Sequence, residues 1–208
     1  MSDVQLMGLP QSNFVWAVRI ALAEKGAPYE HVPVPPHSPE ATAVHPLGKI
    51  PVLRHGTVAI GESRAIIDYI DRTFEGPRLV PEDQGDLLRS DTWTSIITSS
   101  IEPLLVRRYV LAYLNPAGAN GEPDRTQIDQ LLPQVEAQLD ILEAAIASGD
   151  VGGGPFGRVD AYLVPILFYV RTFPEGGSMI AARPRLASYL ERGLSRPSVL
   201  TSMPGSSQ

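Results

Sequence analysis

The order of short strands and helices in the first third of the chain is the feature that most constrains the fold. Strand-like patterns cover residues 4–7, 29–34, 50–53 and 58–60, and helical patterns cover 14–25 and 62–74. The first two strands are separated by one helix, which favours parallel pairing with a helical crossover. A turn at His55–Thr57 joins the last two strands as a hairpin. The pattern therefore predicts a mixed α/β unit, β-α-β followed by β-β-α.

No strand pattern follows residue 76, where the composition changes. Residues 76–81 are rich in proline and glycine, which marks a linker. Helical periodicity then covers 87–114, 128–146 and 159–172, and short closing helices are expected at 184–192 and 197–203. Pro103 lacks a backbone N–H and is expected to kink the first of these helices. We therefore expect an α/β domain at residues 1–80 and an all-helical domain at residues 86–208.

The composition excludes several classes of function. The chain has 208 residues, a net charge of −6, no cysteine and four histidines. An acidic chain offers no bulk attraction to nucleic acid or to an anionic membrane. The absence of cysteine excludes disulfides, thiolate metal ligands and a protein thiol as nucleophile. The histidines lack metal-ligand spacing, so we expect no metal site.

The apolar stretches give an expectation about cellular location. No basic region followed by a long apolar run stands at the N-terminus, so no signal peptide is expected. The longest nearly uncharged apolar stretch, residues 161–170, is too short to span a bilayer. We therefore expect a cytoplasmic protein.

Five segments of the chain carry motifs that belong together. They are Ser12–Leu22 (compare SPFxxxVRIAL), His45–Leu53 (NPxGKVPVL), Gly61–Ile70 (ESxAIxxYL), Phe156–Leu163 (xSxADxxL) and Arg196–Val199 in the tail. In this order and spacing they resemble the cytosolic glutathione S-transferase family, bacterial type, over nearly the whole chain. The resemblance implies a thioredoxin-like N-terminal domain with a serine-type active site, followed by an all-α C-terminal domain. It also implies a homodimer and a role in detoxification.

The resemblance further implies how the first domain binds glutathione. Glu62 and Ser63 lie where a strand ends and a helix begins, and the helix dipole there favours an anion. In the family this pair holds the γ-glutamyl carboxylate. Ile50 and Pro51 open the third strand, and in the family a cis bond at this point lets the residue before proline pair with the cysteinyl part of glutathione. Taken without the resemblance, a plain helix cap is the favoured interpretation of Glu62 or Ser63.

Two further residues are candidate donors for the glycine carboxylate of glutathione. An acidic protein needs a local positive charge to hold this anionic peptide. Lys49 is one candidate, and the alternative is a solvated surface lysine. His45 is the other, and it stands where the family often has Asn.

The catalytic group must keep the thiol of glutathione ionised, because the thiolate is the nucleophile. A hydroxyl that donates to the thiolate and the positive end of a helix both lower the thiol pKa. Ser12 lies just before the first helix and matches the catalytic serine of plant-type and many bacterial transferases. Asn13 replaces the family's proline, and its amide is the second candidate, since such a group also donates to sulfur. Either residue is alternatively only a helix cap.

The second substrate is expected to be an apolar electrophile. Its candidate contacts in the first domain are Leu9, Pro10 and Trp16. Its candidate contacts in the helical domain are Arg107, Arg108, Tyr109 and Tyr113. Two alternatives stay open, namely that Trp16 is a packed core aromatic and that the arginines are solvated surface residues.

Three functions are compatible with the sequence. The first is conjugation of glutathione to electrophilic small molecules, an activity of the EC 2.5.1.18 type. The second is a glutathione-dependent disulfide reductase or peroxidase, for which Asn13 would be more telling. The third is a non-catalytic binding protein on the same fold. The presence of Ser12, Lys49 and the two paired motifs together argues for an enzyme.

Overall fold

The computed structural model describes residues 3–118 and 121–205, which fall into two compact units. The first unit holds the chain up to Glu82 together with the segment from Ser195 onward, and the second holds Asp83–Leu194. This division differs from the expected helical domain at residues 86–208. The C-terminal segment groups with the first unit because its side chains bond to the first helix, as described below.

Among the described residues, the first unit has one sheet of four strands. They are β1 (Val4–Met7), β2 (Glu30–Val32), β3 (Val52–His55) and β4 (Val58–Gly61), in the spatial order β2-β1-β3-β4. β1 runs parallel to β2 and antiparallel to β3, with Leu6 opposite Leu53. β3 and β4 form an antiparallel hairpin. The predicted β-α-β and β-β-α order is confirmed, and Leu6 and Leu53 lie in the core.

The helices of the first unit are α1 (Asn13–Glu24), α2 (Pro39–Thr42), α3 (Ser63–Thr73) and α10 (Pro197–Ser202). Helix α2 was not predicted from the sequence, because four residues are too few to show a helical period. Its start signals are nevertheless present. Ser38 Oγ accepts the Ala41 N–H at 3.2 Å, and Pro39 occupies the first helical position.

Helix α10 is fastened to α1 by charged and polar side chains. Arg196 donates to both carboxylate oxygens of Glu24, with Nη2 to Oε2 at 2.8 Å, and Ser198 donates to the same group. Burial raises the pKa of Glu24, but the hydrogen bonds from Arg196 and Ser198 and the arginine charge leave it below its ordinary value. Glu24 is therefore held as a carboxylate beneath the C-terminal segment.

The second unit is helical throughout its described elements. They are α4 (Gln84–Ile96), two π-helical stretches (Ile97–Ile101 and Pro103–Val110), α5 (Leu111–Leu114), α6 (Arg125–Ser148), α7 (Arg158–Arg171), α8 (Pro174–Ala181) and α9 (Pro184–Leu194). The predicted helix at 87–114 thus contains wide turns around Pro103. The Glu102 N–H bonds the Ile97 carbonyl, and Glu102 pairs with Arg107 at 3.0 Å, both at the five-residue spacing of a π-helix.

Helix α7 is the buried helix that the sequence predicts, and its residues from Ala161 to Leu167 are all buried. Asp160 Oδ2 accepts the Gly157 N–H at 2.8 Å, which closes the start of the helix. Helix α8 was not predicted from the sequence, because Gly176 and Gly177 have low helix propensity. Gly176 packs against the Val170 carbonyl, where a side chain has no room. Within the part of the chain that is described, no helix is both long and apolar enough to cross a membrane.

Candidate functional site

Ser12 lies at the start of α1. Its backbone is extended (φ −68°, ψ 125°), and its Oγ accepts the Val15 N–H at 3.4 Å. The Ser12 carbonyl accepts the Trp16 N–H at 2.9 Å, so the residue is joined to the first helical turn at two points. Because Oγ only accepts in the cap, its hydroxyl hydrogen remains available to a ligand. Capping and donation are therefore compatible, and Asn13 follows as a buried first residue of the helix.

The loop that delivers Ser12 is anchored by His31, a residue that the sequence analysis did not select. His31 Nε2 lies 3.0 Å from the Gly8 carbonyl, so this nitrogen carries the hydrogen and donates. Burial is the main cause that lowers the pKa of His31, and the charge of Arg19 adds to it against the Gly8 hydrogen bond. A side chain at Gly8 would meet Val15 Cγ2 at 2.5 Å, so only glycine fits there.

The predicted Ile50–Pro51 motif lies directly before β3. The peptide bond between the two residues is cis, as the resemblance implies. Ile50 is half-buried, Pro51 is buried and Lys49 is exposed. The strand begins at Val52, so the backbone of Ile50 stands just outside the β3 ladder.

Glu62 and Ser63 join β4 to α3 in an unusual backbone conformation. Glu62 has φ 65° and ψ 114°, a region that residues with a Cβ rarely occupy. Its carboxylate makes no capping hydrogen bond, and the first residue of the helix is Ser63. The main chain at Ser63 therefore begins a helix of which the positive dipole end lies at this junction.

The structure corrects the role expected for His45. The imidazole is 3% exposed, Nδ1 accepts the Leu47 N–H at 3.0 Å, and Nε2 lies 2.8 Å from Glu62 Oε1. Since Nδ1 is an acceptor, Nε2 carries the hydrogen and donates to the carboxylate. Both ring nitrogens are used within the protein, so His45 is not placed as a donor to the glycine carboxylate of a ligand.

His37 is a second residue with a positive φ, at 64°. Its N–H donates to the Gly48 carbonyl at 2.7 Å, which places it beside the segment that carries Lys49. Gly48 itself has φ 61°, and a side chain there would meet His37 Nδ1 at 2.9 Å. Strained backbone of this kind clusters at functional sites, so His37 joins the candidates. The feature of the sequence that could have indicated His37 is its position in a loop without a clear strand or helix pattern.

Two of the expected electrophile contacts are packed residues. Trp16 is fully buried, and its indole Nε1–H donates to Ser202 Oγ at 3.1 Å. Tyr109 is also fully buried, and its hydroxyl accepts the Gly176 N–H at 2.9 Å. Trp16 therefore matches the core alternative that the sequence left open, because its polar atom is satisfied inside the first unit.

Arg107 is exposed and paired with Glu102, and the four other remaining contacts are more accessible within their own units than Trp16 and Tyr109. Leu9 is 37% exposed and Pro10 is half-buried. Arg108 is exposed, and its Nη1 donates to Gln134 Oε1 at 3.2 Å. Tyr113 is half-buried, stacks on Phe173 at a ring distance of 4.3 Å and donates to Glu175. The pocket assignment of these four residues stays a prediction.

Comparisons with known proteins identify the family. Residues 6–78 match the model of the glutathione S-transferase N-terminal domain, and residues 125–192 match the model of its C-terminal domain. Glutathione S-transferase 3 of Zea mays is 30% identical over 207 residues, covering 95% of this chain and 91% of that protein. Glutathione S-transferase 1 of Triticum aestivum is 29% identical over 214 residues, covering 96% and 93%.

Solved structures agree with these matches. The crystal structure of glutathione transferase F7 from Populus trichocarpa has a TM-score of 0.84 and 28% identity, covering 96% of this chain and 97% of that one. The structure of glutathione S-transferase III in its apo form has a TM-score of 0.80 and 30% identity, covering 99% and 97%. Together the matches confirm the predicted family, two-part fold and class of enzyme. The chain therefore belongs to the glutathione S-transferase family.

Proposed function

We propose that the chain conjugates the thiolate of glutathione to electrophilic, hydrophobic small molecules, with Ser12 as the residue that stabilises the thiolate. The observation that carries the proposal is the geometry of Ser12 at the first turn of α1. Its Oγ accepts the Val15 N–H and keeps its own hydrogen to donate. A free thiol has a pKa of about 8.5, so a donated hydrogen bond and the helix dipole are needed to ionise it at neutral pH.

In this proposal each of the other site residues binds a different part of glutathione. The γ-glutamyl carboxylate binds at Ser63, where the start of α3 favours an anion. The cysteinyl backbone pairs with Ile50, which stands at the open end of β3. Exposed Lys49, with His37 beside it, supplies the donors for the glycine carboxylate.

The finer features of the enzyme belong to the same proposal. The electrophile contacts Leu9 and Pro10 of the first unit. The protein acts in the cytoplasm, in detoxification, as a homodimer. These features are supported by the family resemblance, and a panel of electrophiles together with sedimentation would test them.

The central experiment separates catalysis from binding. Glutathione affinity is measured by calorimetry, and conjugation is measured with a chlorodinitrobenzene electrophile, for the wild type, Ser12→Ala and Ser38→Ala. Ser38 is a matched control, because it caps α2 as Ser12 caps α1. We expect Ser12→Ala to lower kcat by about 100-fold or more and Ser38→Ala to leave it within about twofold. Normal conjugation by Ser12→Ala would remove the assignment, and binding without turnover in the wild type would favour the non-catalytic alternative.

A further inference from the structure

We propose that His45 is a positioning residue, which holds Glu62 in place and thereby sets the affinity for the γ-glutamyl end of glutathione. The inference rests on the proposed function, since it assigns a second role within the same site. It starts from two hydrogen bonds of one ring. Nδ1 accepts the Leu47 N–H at 3.0 Å, and Nε2 donates to Glu62 Oε1 at 2.8 Å.

Glu62 is the residue that needs such support. Its φ of 65° is unfavourable for a residue with a Cβ, and such a conformation persists only where neighbouring groups fix it. A carboxylate at a helix start ordinarily caps the first turn, but that of Glu62 makes no such bond. It turns to His45 instead. The hydrogen bond from Nε2 is therefore the contact that opposes relaxation of Glu62 toward an ordinary cap.

Gly61 shows that the ring is built closely into this junction. A Cβ added at Gly61 would meet His45 Cδ2 at 2.7 Å, so the imidazole lies directly against the residue before Glu62. The ring thus contacts two consecutive residues, one by packing and one by a hydrogen bond. Only a residue without a side chain at position 61 allows this approach.

The backbone of His45 joins the same ring to the other half of the site. Its N–H donates to the Ala41 carbonyl at 2.8 Å, and its carbonyl accepts the Gly48 N–H at 2.8 Å. Lys49 and Ile50 follow immediately. His45 therefore links the segment that approaches β3 to the junction between β4 and α3, and a shift of the ring moves Glu62 and Ser63 relative to Ile50.

Two substitutions separate the contacts of the ring. In His45→Asn the amide occupies the place of Nδ1 and does not reach Glu62, whereas in His45→Gln the amide nitrogen reaches the place of Nε2. Calorimetry with glutathione and with γ-glutamylcysteine, which lacks the glycine, measures the effect. We expect His45→Asn to weaken both peptides by about tenfold, and His45→Gln to recover most of that affinity.

The kinetic constants are expected to show an effect on glutathione binding and little effect on turnover. With a chlorodinitrobenzene electrophile, the KM for glutathione rises about tenfold in His45→Asn while kcat changes by less than about threefold, since Ser12 is untouched. A loss confined to glutathione, with γ-glutamylcysteine unaffected, would overturn the inference and make His45 a direct ligand of the glycine carboxylate. Unchanged affinity for both peptides would overturn it as well, and so would an equal fall in kcat.

A measurement without ligand keeps this inference distinct from the proposed function. Nitrogen-15 NMR of the ligand-free protein reports which ring nitrogen of His45 is protonated. We expect hydrogen on Nε2 and none on Nδ1, and we expect the Nε2 resonance to move in Glu62→Gln. The opposite tautomer overturns the inference. If the wild type binds neither peptide but shows the expected tautomer, the proposed function fails and the His45–Glu62 contact stands as a structural one.

Discussion

The indole of Trp16 donates a hydrogen bond to Ser202 Oγ at 3.1 Å, across 186 positions of the sequence. Trp16 follows Ser12 by one turn of α1, and the backbone N–H of Trp16 donates to the Ser12 carbonyl. Ser202 lies in α10 and is 1% exposed. The last helix of the chain therefore supports the helix that begins at the proposed catalytic serine.

Removing the hydroxyl of Ser202 should destabilise the first unit. Ser202→Ala takes away the acceptor of a buried indole N–H, and we expect the free energy of unfolding to fall by about 1–3 kcal/mol. Urea unfolding followed by tryptophan fluorescence measures it. Thr201→Ala is the control, because Thr201 is exposed and its hydroxyl bonds the Pro197 carbonyl of its own helix. Equal stability of the two variants would contradict the role given to Ser202.

The pH dependence of thiolate formation tests Ser12 in another way. In Ser12→Ala we expect the pKa of the bound glutathione thiol to rise toward its free value of about 8.5, because one donor to the thiolate is lost. Ultraviolet absorption of the thiolate across a pH titration measures this. The rate of conjugation at neutral pH should fall with the thiolate fraction and recover partly as the pH rises. An unshifted titration in Ser12→Ala would assign thiolate stabilisation to Asn13 or to the helix alone.

A buried ion pair within the first unit fixes the predicted linker, residues 76–81, in place. Lys25 Nζ lies 2.8 Å from Asp71 Oδ1, each side chain is 1% exposed, and Asp71 Oδ1 also accepts the Leu79 N–H at 2.8 Å. Lys25→Met would leave a buried carboxylate without its main partner. We expect the free energy of unfolding to fall by about 3–5 kcal/mol. A change below about 1 kcal/mol would show that Arg78, 3.5 Å from Oδ2, suffices as partner.

The same carboxylate should make stability depend on pH. Burial raises the pKa of Asp71, but the Leu79 N–H, Lys25 and Arg78 together leave it below its ordinary value. Its contribution is thus present above the unfolded pKa of about 4 and is lost as pH falls through the folded pKa. Urea unfolding between about pH 6 and pH 3 should show a smaller loss in Asp71→Asn than in the wild type. Glu75→Gln, an exposed control, should retain the wild-type slope.

Asp160 should contribute to the second unit through two donors. It accepts the Gly157 N–H at 2.8 Å and the Tyr189 hydroxyl at 2.7 Å. Burial and the charge of Asp160 raise the pKa of Tyr189 well above its ordinary value, so the phenol stays protonated and donates. We expect Asp160→Ala to lower the free energy of unfolding by about 3 kcal/mol. Exposed Asp150→Ala removes a surface ion pair with Arg89 and the acceptor of Ser148 Oγ, and as the control it should stay within about 1 kcal/mol; equal effects would refute a special role for Asp160.

The sequence by itself determined the order of the strands and of the longer helices, and the candidate segments of the site. Helix α1 could be predicted because its apolar residues recur at helical spacing and Ser12 precedes them. The parallel pairing of β1 with β2 and the β3–β4 hairpin followed from one helical crossover and one short turn, whereas the pairing of β1 with β3 is seen only in the structure. The start of α1 and the hairpin turn are local: each depends on residues within a few positions of one another, so a pattern in the sequence records them.

Only the tertiary structure decided which side-chain donors and acceptors pair with one another. His45 reads as a free donor in the sequence, and only folding brings Glu62 and the Leu47 amide to its two nitrogens. Trp16 reads equally as a pocket wall or a core residue until Ser202 is brought against it. Such partners either lie far apart along the chain or meet only because one side chain adopts a particular orientation. Periodicity carries no information about them, because contact in space depends on how all the elements pack.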